Sequence, residues 1–125
     1  MARALSRAGV TNAVGYNPFN TLNIDFSGTR FAGAVVKCRL DASIAEIDAY
    51  DTALEKCTTM AERHELFAGM FLIEWNLEDA KGKSIPASKA GSRMAPAALM
   101  GWVINTWRSA IWDVAAPLGD GSTPG

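Results

Sequence analysis

Residues that carry chemistry are scarce in this chain. Histidine occurs once, at His64, and cysteine twice, at Cys38 and Cys57. There is no H-E-x-x-H and no C-x-x-C to build a metal site, and no third group stands near His64 to orient it as a base. No G-x-x-x-x-G-K-[ST], G-x-G-x-x-G or G-x-S-x-G pattern occurs, although the chain has 11 glycines. Nucleotide cofactors and hydrolase elbows therefore have no support in the sequence. No catalytic, cofactor-binding or metal residue is nominated, and the reading is a non-enzymatic protein.

Long apolar runs are also lacking. None approaches the roughly 18 residues of a membrane span. The first fifteen positions have no compact apolar segment of the secretory type. Charge of one sign is missing too: 12 basic against 13 acidic residues leave a net charge of −1. That balance gives no footprint for nucleic acid and no polybasic anchor for a membrane surface. Two cysteines make no disulfide framework in a chain of 125 residues. Both read as reduced core residues in a cytosolic setting, with a single disulfide between them left open.

What is present fits one ordinary domain. The hydrophobic fraction is 49% and the charged fraction 20%, both near globular averages. Three segments are expected: an N-terminal arm over 1–18, one α+β domain over 19–116, and a Pro/Gly/Ser-rich tail over 117–125. Leu22, Ile24 and Phe26 alternate with Asn23 and Asp25, the period of a half-buried strand. Ser27-Gly28-Thr29 supplies a turn, and Ala34, Val36, Cys38 and Leu40 share one face of a return strand, completing a β-hairpin.

Helices follow. Ser43 and Glu46 form a capping box, as do Thr59 and Glu62, so two helices start there. Ile44, Ile47, Tyr50 or Asp51, and Leu54 stripe the first. Leu66, Met70 and Ile73 stripe the second, widened by Phe67 and Phe71, which marks it as the central helix. Trp75 to Pro86 reads as a small hairpin or ordered loop around Asp79-Ala80-Lys81-Gly82, and residues 87–94 as loop. A third main helix starts near Pro96, lines Leu99, Val103, Trp107, Ala110 or Ile111, and Val114 on one face, and stops at Pro117.

Two features invite a functional reading. Asp48, Asp51 and Glu55 share a face of the first helix; a solvated face is preferred, a surface for a basic partner second. Four tryptophans are unusual, and Trp102, Trp107 and Trp112 step round the third helix by about 140° each. They cannot all face one core. Trp107 is assigned to the core; Trp102 and Trp112 stand between core corner and exposed hot spot.

The run Trp75-Asn76-Leu77-Glu78-Asp79, then Gly82-Lys83-Ser84-Ile85-Pro86-Ala87-Ser88, resembles the pattern W-N-L-x-D-x-x-G-x-P-[IV]-P-A-T. A Trp-bearing helix and Ala116-Pro117-Leu118-Gly119 follow. In that order the chain is similar to the tail-assembly chaperones of long-tailed, siphovirus-type phages of actinobacteria. The motif covers the last 55 to 60 residues or so, and the rest is similar only in layout. Ser84 stands in place of Pro and Ser88 in place of Thr, and Lys89 stands where an acidic residue and Gly are common.

The resemblance implies a chaperone in the host cytoplasm, absent from the finished virion. It would bind the tape-measure protein, help recruit tail-tube protein subunits, and have a longer frameshifted product. The alternative is a virion structural protein, a tail or head-completion component that forms a ring. Client contact is expected at Met70, Phe71, Trp75, Trp102 and Trp112, with a groove walled by Leu66, Met70, Trp102 and Trp107. The apolar surplus on the second and third helices leaves a homo-oligomer open.

Overall fold

The computed structural model describes residues 20–115. The expected arm, the tail and the stop at Pro117 lie outside the described residues. Alternating side chains build the sheet first. Strand β1 (Thr21–Asp25) buries Leu22 and Ile24, and β2 (Val35–Arg39) buries Val36 and Cys38. They pair antiparallel with Leu22 opposite Cys38 and Ile24 opposite Val36, so one face is apolar throughout. The turn at Gly28 is present, with φ +82°, but the connection is longer than Ser27–Thr29. A second turn follows, closed by Ala34 N–H donating to Phe31 O at 3.0 Å, and Gly33 takes φ +97°. Both angles favour glycine.

Both capping boxes form. Ser43 caps α1 (Ile44–Glu55) and Thr59 caps α2 (Met60–Phe71), each with the reciprocal glutamate bond. Within α1 the inward stripe is Ile47, Tyr50 and Leu54. Ile44, at the first helical position, is 65% exposed and leaves the stripe. Helix α2 stops at Phe71 and the chain turns directly into a third strand, β3 (Leu72–Trp75).

That strand corrects the reading of Ile73 as part of the helical stripe. Leu72 pairs with Cys38, Glu74 with Lys37 and Trp75 with Val36, and a register shift leaves Ile73 as the extra, exposed residue of a bulge. The sheet order is β1-β2-β3. On its outer face Lys37 and Glu74 form an ion pair at 3.5 Å.

Two further corrections concern the C-terminal half. Within the expected loop 87–94 lies a short helix, α3 (Lys89–Ser92), capped by Ser88. Its Gly91 backs onto Pro86 so closely that an added Cβ would lie 1.6 Å from the Pro86 carbonyl oxygen. The last helix, α4 (Ala97–Ala110), ends well before Pro117, and Val114 lies beyond it, exposed.

Helices and sheet thus form two layers over one core. Leu22, Ile24, Val36 and Cys38 from the sheet meet Tyr50, Phe67, Phe71, Leu99, Met100, Val103 and Trp107 from the helices. At its centre Trp107 lies 4.3 Å from Phe71 and 5.3 Å from Phe67, centroid to centroid. The Trp107 indole N–H donates to Arg39 O at 2.9 Å, so burial leaves no orphan donor.

Candidate partner-binding surface

The W-N-L motif builds a frame. Trp75, half-buried, donates its indole N–H to Ile85 O at 2.7 Å. Asn76 clamps the hairpin connection: its Oδ1 accepts from Val35 N–H and its Nδ2 donates to Gly33 O, both at 2.8 Å. Asp79 Oδ1 accepts from the Lys81 and Lys83 backbone N–H groups at 2.8 and 3.0 Å. Gly82, at φ +79°, closes that turn. Ile85 N–H returns to Leu77 O at 2.9 Å, and the Ile85 side chain is buried. Trp75, Asn76, Leu77, Asp79, Gly82 and Ile85 of the motif thus each hold part of this frame.

The residues expected to meet a partner divide by burial. Trp102 is 56% and Trp112 61% exposed, whereas Phe71 is 1% exposed and belongs to the core. Met70 and Trp75 are half-buried against the same core. The groove expected from Leu66, Met70, Trp102 and Trp107 does not form in that combination, because Trp107 is fully buried and Trp102 turns towards the hairpin. Trp102 leans on Phe26, with centroids 6.4 Å apart, and Phe31 meets Phe26 edge-on at 6.1 Å. Beside Phe31 opens a cleft of about 480 Å³, bounded by Asn76–Ala80 of the frame, Met94, Pro96 and Leu99. Met94 is 56% exposed.

A second concavity, of about 360 Å³, lies on the other flank of α4, between it and the facing parts of α1 and α2. Leu54, Met60 and Ile104 supply its apolar surface, and Arg63, His64, Gly101 and Arg108 also line it. The sequence offered one signal for it, a glycine in the middle of a helix, where glycine is unfavourable. The rest depends on three helices meeting.

The chemical candidates differ in burial and partners. Burial pushes the Cys38 thiol up to about 12, and both cysteines are free. His64 is half-buried, and burial lowers its pKa. Among the described residues no three of His, Cys, Asp and Glu converge as metal ligands. On α1, Asp51 pairs with Arg108 at 3.0 Å, while Asp48 and Glu55 are exposed. Among the described residues no helix is long and apolar enough to cross a membrane.

Comparison with known proteins found no matching family model, no matching curated protein and no matching solved structure.

Proposed function

We propose that the chain is a tail-assembly chaperone of a long-tailed phage. It binds the tape-measure protein in the host cytoplasm and helps to recruit tail-tube subunits. Its work is binding, not catalysis. The observation that carries this reading is the set of large apolar side chains left outside the core: Met60, Met94, Trp102 and Trp112 are each more than half exposed. Two of them, Met60 and Met94, border the concavities flanking α4. Exposed Trp and Met beside concave surfaces suit an amphipathic helical client, because aromatic anchors supply area and Met adapts its shape. The resemblance supports the same reading, since its residues build the frame that borders one of these clefts.

Co-expression with the tape-measure protein encoded downstream tests the proposal. Soluble co-purification, lost in a folded Trp102→Ala variant, is the expected result. A well-folded wild type that captures no tape-measure protein, together with detection of the chain in purified virions by mass spectrometry, would transfer the assignment to a structural ring component.

A further inference from the structure

Among the described residues nothing accounts for Gly101. A Cβ built on it meets no atom within 4 Å. The other buried or helical glycines differ: at Gly69 a Cβ would meet Lys89 Cε at 2.5 Å, and at Gly91 the Pro86 carbonyl oxygen at 1.6 Å. Those two make room for neighbours within the protein. Gly101 makes room for no described residue, in the middle of α4, where alanine would hold the helix better.

The space above Gly101 is the groove of about 360 Å³ between α1, α2 and α4. Its floor is apolar, with Leu54 and Ile104 half-buried and Met60 58% exposed. From Gly101 to Arg108 α4 rises about 10 Å, or two helical turns. The charges that line the groove are both guanidinium groups, Arg63 and Arg108, with no carboxylate among the lining residues. Arg108 is engaged: Asp51 holds it at 3.0 Å and it lies 5.1 Å from the Tyr50 ring centroid. Arg63 is exposed and makes no ion pair among the described residues.

We propose that this groove receives two turns of an amphipathic helix from another polypeptide, small and apolar where it crosses Gly101 and carrying a carboxylate that pairs with Arg63. The inference rests on the reading of the protein as a binder of a helical client, and it names the client's chemistry. A missing Cβ lets two helix backbones approach closely. Arg63, exposed at the mouth and without an ion pair among the described residues, selects an acidic flank and disfavours a basic one.

The test uses two labelled peptides on the full chain. One has Leu at i and i+7, Ala at i+4 and Glu along the flanks; the other has Lys for each Glu. Fluorescence anisotropy reads binding at low salt. The wild type is expected to bind the Glu peptide at least about tenfold more tightly than the Lys peptide. Arg63→Glu is expected to erase or invert that preference. Gly101→Leu fills the groove and is expected to weaken binding of the Glu peptide by about tenfold or more, while its melting temperature rises or stays level because a poor helix former has been replaced. Equal binding of the two peptides, or unchanged binding to Gly101→Leu, would overturn the assignment. So would a wild-type dimer in sedimentation that Gly101→Leu converts to monomer, since the occupant would then be a second copy. The chaperone reading fails separately. It falls if a wild type that binds the Glu peptide does not co-purify with tape-measure protein, whereas the groove falls if co-purification survives Gly101→Leu.

Discussion

The inner and outer flanks of α4 carry the same residue type to opposite ends. Trp107 faces inward, with no exposed surface, three aromatic neighbours and its N–H satisfied by Arg39 O. Trp102, five positions earlier, is 56% exposed, touches one ring, Phe26, and donates no hydrogen bond within the described chain. A rotation of about 140° separates the two. Identity therefore says little about role; the direction around the helix decides it. The inner flank builds the core, and the outer flank leaves Trp102 more than half exposed.

The largest expected effect lies on the inner flank. Trp107→Ala removes the centre of the aromatic cluster and should cost about 3–5 kcal/mol in urea unfolding. Trp107→Phe should fall between the two, because it keeps most of the packing but leaves the Arg39 carbonyl without its donor. A loss no greater than that of an exposed residue would remove the distinction between the flanks.

Next comes a pair of glycines. Gly91→Ala drives a Cβ into the Pro86 carbonyl, a backbone atom that cannot swing aside. The expected loss is about 1–3 kcal/mol. Gly101→Ala meets open space and should instead gain up to about 1 kcal/mol. Thermal melts of the two variants, read side by side, sharpen the contrast between a glycine required by packing and one that packing does not require.

How much of this was legible follows from the range of the interactions. The capping boxes at Ser43/Glu46 and Thr59/Glu62 are local, and both helix starts were readable. So was the alternation of β1 and β2. Leu72–Trp75 carries no local strand signal, because the apolar run continues through Phe71 without a break. Its strand character comes from pairing with Val36–Cys38, far away in sequence. Helix α3 spans four residues and depends on Gly91 meeting Pro86, which no local pattern announces. The sequence places Phe71 towards a partner because a wide apolar face does not show which edge is covered, and the core takes it instead. At the site, the exposure of Trp102 and Trp112 was half legible, since three tryptophans at that spacing cannot share one face. The groove over Gly101 was not legible, since three helices build it.

A smaller effect should appear with pH, where the fold is held by charge at its surface. Arg39 donates to Glu46 at 2.6 Å, and the Ser43 backbone N–H donates to the same carboxylate at 2.9 Å. The Arg39 bond first, then the Ser43 bond, lowers the Glu46 pKa below its ordinary value. The folded state therefore binds the proton less readily than the unfolded chain. The stabilisation is present above the unfolded pKa of about 4.3 and is lost as pH falls through the lower folded value. Glu46→Gln should flatten part of the decline in stability between neutral and acid pH, and should cost at most about 1 kcal/mol at pH 7, because the pair is partly solvated. An unchanged acid limb would assign the decline to Asp25, Glu62 and Glu65, whose pKa values are lowered by Ser27, Thr58 and Arg93 respectively.

The smallest change in stability should accompany the largest change in binding. Trp102→Ala deletes a side chain that is 56% exposed, so unfolding should shift by no more than about 1 kcal/mol. The same deletion should abolish co-purification with the tape-measure protein, because an exposed Trp that meets a partner surrenders its whole remaining surface to that contact. Trp112→Ala, 61% exposed just beyond the end of α4, is the control. If both variants lose the client and keep their stability, the docking surface runs from the outer flank of α4 to the turn that follows it. If only Trp102 matters, contact concentrates near the hairpin end of α4, beside Phe26 and Phe31. If Trp102→Ala unfolds the domain as Trp107→Ala does, then Phe26 depends on that indole for its cover, and the outer flank is core that happens to be half visible.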